Sequence, residues 1–207
     1  MHNAKKQTAM RYLIILILIL SSCNIRQDNK AISQTKSQDS LVNELVNTDF
    51  LRYTDSTKID SVRQSFMKDG YIFRPEINRY VHIDAEELAE GSFDFFKSDL
   101  RKILNKRGLE ITFSTTKNFE KLHEVMINNE TFALFDDKNL ADNSFWDIGP
   151  RRFFEKINKE LENSKLQERF YLIYSGNDLG AILLTERQFN IFAKINEGNT
   201  KEIPYKP

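Results

Sequence analysis

His82, Asp84, Glu86 and Glu87 stand close together in the run His82-Ile83-Asp84-Ala85-Glu86-Glu87. If residues 79–84 form a strand, His82 and Asp84 share one face, because side chains alternate along a strand. An imidazole beside a carboxylate can share a proton or hold a metal. A hydrolase or metal-dependent reading uses His82, Asp84 and a further acid such as Asp178 as its catalytic groups. A metal site needs three or four ligands, and no second histidine stands at a telling spacing. The plainer reading is a charged strand end leading into a helix, where acids suit the helix dipole.

Other groups invite weaker readings. Trp146, beside Phe145, is a candidate binding residue, either as an interaction anchor or as a stacking platform for carbohydrate or another small ligand. Its plainer role is a core plug, since tryptophan is mostly buried. Asn177 and Asp178 are binding candidates at a turn tip, and that turn has a purely structural reading as well. Asp136, Asp137 and Asp142 lie in a polar stretch without the spacing of a calcium loop. His123-Glu124 begins like a zinc-protease helix motif, but Ile127 stands where the second histidine belongs. No G-x-S-x-G elbow, P-loop or G-x-G-x-x-G fingerprint is present. The one cysteine forms no internal disulfide and leaves no thiolate set for zinc. No cofactor and no metal is implied.

The N-terminus carries the clearest signal. Residues 1–12 are polar and include Lys5, Lys6 and Arg11, and Leu13 to Leu20 is an unbroken aliphatic run. Eight residues rise about 12 Å as a helix, against a hydrocarbon core of about 30 Å. That is a signal peptide pattern rather than a membrane span. Leu20-Ser21-Ser22-Cys23 then resembles the lipobox of bacterial lipoproteins. The resemblance implies cleavage before Cys23, a diacylglyceryl group on its thiol, and an acyl chain on the new amino terminus. Two or three acyl chains anchor stably where one is marginal. Asn24 in place of Asp favours the outer membrane, and the expected address is a bacterial cell envelope, periplasmic or surface-facing. The resemblance covers about 23 residues and is silent on the rest.

The elements that must position the candidate residues follow from periodicity. The chain has 30 basic and 30 acidic residues, and removing residues 1–22 leaves 27 against 30, a net charge of −3. A weakly acidic surface argues against nucleic acid, which needs clustered Lys and Arg. Residues 23–69 read as a polar tether with possible short helices, since their apolar residues are sparse. Residues 70–196 read as a compact α+β domain, and 197–207 as a loose tail. Tyr71-Ile72-Phe73 and Arg79 to Ile83 read as strands. Ser92 N-caps a helix whose stripe is Phe93, Phe96, Leu100, Ile103 and Leu104, stopped by Gly108. Leu109 to Thr115 and Thr131 to Phe135 read as strands. Asn118 starts a helix through Phe119, Leu122, Val125 and Met126, and Pro150 opens the next helix. Phe170 to Tyr174 and Leu179 to Leu184 pair about the turn Gly176-Asn177-Asp178. Thr185 to Gln188 is a capping box for a last helix. The expected fold is one mixed or antiparallel sheet of four to six strands, helices mainly on one face, ending in a hairpin plus helix. No internal repeat is present.

Three functional readings result. The first is a membrane-tethered, non-catalytic interaction domain whose partner is another envelope protein, in the manner of an inhibitor or immunity protein. The second is the hydrolase of His82, Asp84 and Asp178. The third is the ligand binder of Trp146.

Overall fold

The β5–β6 hairpin organises the molecule. In the computed structural model, which describes residues 39–69, 71 and 73–207, β5 (Arg169–Ile173) and β6 (Gly180–Leu184) pair antiparallel, Phe170 opposite Leu183 and Leu172 opposite Ala181. β1 (Tyr80–His82) joins the other side of β6, so the strand order is β1-β6-β5. A second sheet has the order β2-β3-β4, from β2 (Phe113–Thr115), β3 (Glu124–Ile127) and β4 (Glu130–Ala133). The fold is α+β, as expected. Among the described residues the six strands divide into two three-stranded antiparallel sheets rather than forming one. The hairpin-plus-helix ending is present, with α8 (Glu186–Ile195) capped by Thr185 and Gln188 in a reciprocal box.

Helices cover both faces of the first sheet, where one face was expected. The reason lies in β5 and β6, which carry no polar alternation and so need cover on both sides. Phe170, Leu172, Ala181 and Leu183 point into one apolar layer with α3 (Ala85–Ala89), α4 (Asp94–Asn105) and α7 (Phe145–Asn163). Tyr171, Ile173, Ile182 and Leu184 point into the other, with α1 (residues 39–45), α2 (Ile59–Asp69) and α8. Phe153 centres the first layer, its ring 5.6–5.8 Å from those of Phe93, Phe96 and Phe113.

The second layer corrects the expected domain boundary. Val42, Leu45, Phe50, Leu51, Val62 and Phe66 are buried in it, and the compact unit spans Leu41–Pro207 rather than starting near residue 70. Phe50 stacks on Phe66 at 5.6 Å. Each short helix gives the core only a few side chains, so composition reads as tether although the pattern is amphipathic. The tail corrects likewise. Tyr205 exchanges two backbone hydrogen bonds with Leu172, at 2.8 and 2.7 Å, and Pro204 is buried. With the Asn158 side chain on the Phe170 backbone, this closes the outer edge of β5.

Local deviations have local causes. Tyr71 and Phe73 lie in irregular chain ahead of the turn Pro75–Ile77. α4 begins after Phe93, so Ser92 is not its cap, while Gly108 ends the segment with φ +72° as expected. Strand pairing in β2 starts only at Phe113. α5 (Phe119–Leu122) stops at His123, whose φ of +49° turns the chain, so Val125 and Met126 belong to β3. α6 (Asp137–Ala141) is capped reciprocally by Asp136 and Asn139. α7 starts at Phe145, five residues before the expected Pro150, which lies inside it. Cys23 and the whole lipobox lie outside the described residues. No described helix is long and apolar enough to cross a membrane.

Candidate functional site

The 3-10 turn Gly176–Asp178 gathers most of the residues singled out from sequence at one end of the first sheet. His82, exposed on β1, contacts it directly: Nε2 lies 2.7 Å from the Asn177 carbonyl. A carbonyl only accepts, so Nε2 carries the hydrogen and donates it. The exposed ring of Phe95 packs edge-on against His82 at 5.3 Å.

Asp84 is not part of this group. β1 ends at His82, and Asp84 turns with φ +56° to cap α3, accepting from the backbone N–H groups of Glu86 at 3.0 Å and Glu87 at 3.4 Å. The face-sharing of His82 and Asp84 required a strand through residue 84, and the helix cap replaces it. Among the described residues no group of three His, Cys, Asp or Glu side chains is placed to hold a metal.

Two clefts flank the turn. On one side, Tyr80, His82, Tyr174 and Asp178 line a cleft of about 480 Å³, within the 300–1,000 Å³ common for small-ligand sites. On the other side, Trp146, Pro150, Leu172, Leu179 and Tyr205 bound a cleft of about 150 Å³, below that range. Trp146 is 36 % exposed and tilts against Phe145 at 5.3 Å. The indole is therefore a rim residue rather than a core plug.

No family model matches the chain, and no curated protein or solved structure is significantly similar to it. The chemistry of the site must therefore come from its own residues.

Sequence reading missed the tyrosines. Tyr80 lies with its ring tip against Gly180: a Cβ added there would come within 2.4 Å of Tyr80 Cε2 and 2.7 Å of its hydroxyl. Phe73 supports the ring edge-on at 4.8 Å. Burial first, then the neighbouring phenols of Tyr71 and Tyr174 and the Asp178 carboxylate, push the Tyr80 hydroxyl up to about 12, so it stays protonated through the physiological range. Tyr174 holds φ +61°, unusual for a bulky residue, and its carbonyl accepts from the Tyr205 hydroxyl at 2.9 Å. The alternation Tyr80-Val81-His82 put Tyr80 on the His82 face and was the signal available; Tyr174 carried none.

Gly180→Val is expected to drive Tyr80 out of this position. A spectrophotometric titration of phenolate formation checks it: the highest of the tyrosine steps should move down from about pH 12 toward the ordinary value. An unchanged alkaline step would mean that Gly180 does not position the ring.

Away from the turn, Arg79, Arg107 and Glu168 form a buried ionic cluster. Glu168 Oε1 accepts from Arg79 Nη1 at 2.5 Å and from Arg107 Nη2 at 3.1 Å, and Oε2 from Arg107 Nε at 2.6 Å. Arg79 also donates to the carbonyls of Phe50 at 2.7 Å and Leu183 at 2.9 Å, Arg107 to those of Asn78 and Ile103. Arg107 lies 4.0 Å over the Tyr53 ring. Burial lowers Arg79 to about 10, with the like charge of Arg107 adding to it and Glu168 opposing, and it remains charged at neutral pH. For Glu168 burial alone would raise the carboxyl, but the two guanidinium groups outweigh it and hold it low. The cluster ties residues 49–53 to β6 and α4. An adjoining groove of about 940 Å³ includes Arg52, Lys165, Arg187, Asp49 and Glu186, charges of both signs.

Proposed function

We propose that this chain is a lipid-anchored envelope protein whose folded domain binds a partner through the end of the sheet around Gly176–Asp178. The observation that carries the reading is the group of exposed aromatic rings there. Tyr71, Phe95 and Trp146 are 53, 52 and 36 % exposed. Each connects to the turn: Phe95 through His82, Trp146 across the cleft shared with Gly176, and Tyr71 through Phe73 and Tyr80. Exposed aromatic side chains on a rigid scaffold supply contact area at low entropy cost, which is what interfaces use.

Binding is favoured over hydrolysis because Asp84, the acid that chemistry would pair with His82, spends its carboxylate on the α3 cap. The tether side of the proposal rests on the lipobox: acyl chains on Cys23 would confine the domain near a membrane, where the partner is another envelope protein.

A photo-reactive phenylalanine analogue placed at Phe95 or Trp146 of the full chain, in cells, is expected to give one adduct of defined mass. The same analogue at Leu122, exposed at the end of α5, should not give it. Identical adducts from all three positions, or none from the rim, would remove the proposed binding face.

A further inference from the structure

We infer that the cleft between β1 and the Gly176–Asp178 turn is a site for an alkylammonium group, held between the Tyr80 and Tyr174 side chains and against the Asp178 carboxylate. The inference rests on the binding-domain reading and names the chemistry its ligand carries. The cleft holds about 480 Å³ and is lined by Tyr80, His82, Tyr174 and Asp178, room for an ammonium head and a short methylene chain.

The walls are built rather than incidental. Tyr80 keeps its place because position 180 has no side chain, and Phe73 packs behind it. Tyr174 holds a left-handed backbone, a conformation that persists only where surroundings enforce it. Here the Tyr205 hydroxyl on its carbonyl and the strand pairing of Ile173 with Gly180 do so. His82 is oriented by the Asn177 carbonyl.

The sign of the site follows from what these groups offer. Among the described residues Asp178 is the one acidic side chain lining the cleft, and phenol rings present negative faces. Glu202 sits beside the Tyr174 hydroxyl. Among the described residues no lysine or arginine lines the cleft. The nearby Arg74 guanidinium already lies over the Tyr71 ring at 5.7 Å, the same kind of contact at the edge of this aromatic group. A carboxylate or phosphate would meet Asp178 unfavourably, and a neutral alcohol would leave its charge unused.

The test is an NMR titration of the full chain in detergent micelles, with ring-labelled tyrosine and n-butylammonium chloride at constant ionic strength. Tyr80 and Tyr174 signals, assigned from Tyr80→Phe and Tyr174→Phe, are expected to shift saturably. Asp178→Asn should weaken binding about tenfold, the scale of a lost hydrogen bond to a charged group, with the fold intact by circular dichroism. n-Butanol should give no saturable shift. No saturation with butylammonium, equal binding of butanol, or insensitivity to Asp178→Asn would each overturn the inference. Saturable binding of glucose in its place would do so too, by assigning the cleft to neutral hydroxylated rings. If the ammonium fails while the rim adduct from Phe95 persists, only the ligand chemistry falls. If the adduct fails while the ammonium binds, the protein-partner reading falls instead.

Discussion

Glu168→Gln is expected to lower the free energy of unfolding by about 3–5 kcal/mol, the cost of breaking a buried ion pair by removing one partner. Glu168 is the one carboxylate between Arg79 and Arg107, whose side chains are 2 % and 0 % exposed. Without its charge two guanidinium groups remain buried against each other, and an amide oxygen cannot replace three charge-assisted hydrogen bonds. A domain of ordinary stability, about 5–15 kcal/mol, loses a large share of it. Urea unfolding checks this as a lower midpoint at unchanged slope. The pH dependence supplies an independent arm. The folded-state carboxyl of Glu168 is held below its ordinary value, so its contribution is fully present above the unfolded value and is lost as pH falls through the folded one. The wild type should therefore lose stability on the acid side, and Glu168→Gln should lack that part of the loss. The triple change Arg79→Met, Arg107→Met, Glu168→Leu should recover much of the deficit, because no charge is left unpaired. A change of less than about 1 kcal/mol in Glu168→Gln would mean that water or relaxation screens the cluster.

Cys23→Ser is expected to move the protein out of the membrane fraction and to block signal cleavage at that position. Each acyl methylene contributes about 0.8 kcal/mol of membrane affinity, so on the proposed lipobox reading the loss of two or three chains would remove the anchor. Without residues 1–22 the chain has 27 basic against 30 acidic residues, a balance that offers no general attraction to anionic lipid in compensation. Labelling with radioactive palmitate reads the modification, and fractionation reads the address. Label on the serine variant, or an unchanged membrane share, would remove the lipid anchor and the envelope setting of the proposed partner.

The candidate site was half legible. His82, Trp146, Asn177 and Asp178 all stand around one turn, and each was visible from residue type or turn chemistry. Asp84 misled because its place beside His82 assumed two more residues of strand, whereas its carboxylate found closer donors in the first turn of α3. Tyr174 could not be seen, since its role depends on a positive φ and on the hydroxyl of Tyr205, 31 positions away.

Sequence alone determined what a few neighbouring residues settle among themselves. The β5–β6 hairpin, the Thr185–Gln188 capping box and the helical stripe Phe96, Leu100, Ile103 are such cases, because turn chemistry, reciprocal caps and periodicity act over one or two turns of chain. The lipobox expectation is of the same local kind. Tertiary structure alone decided that the six strands among the described residues form two sheets, that residues 41–69 and Tyr205 close the core, and that Arg79 and Arg107 converge on Glu168. Those partners lie 89 and 61 positions from Glu168. Their meeting depends on burial around the whole sheet, which leaves no periodic trace in either segment.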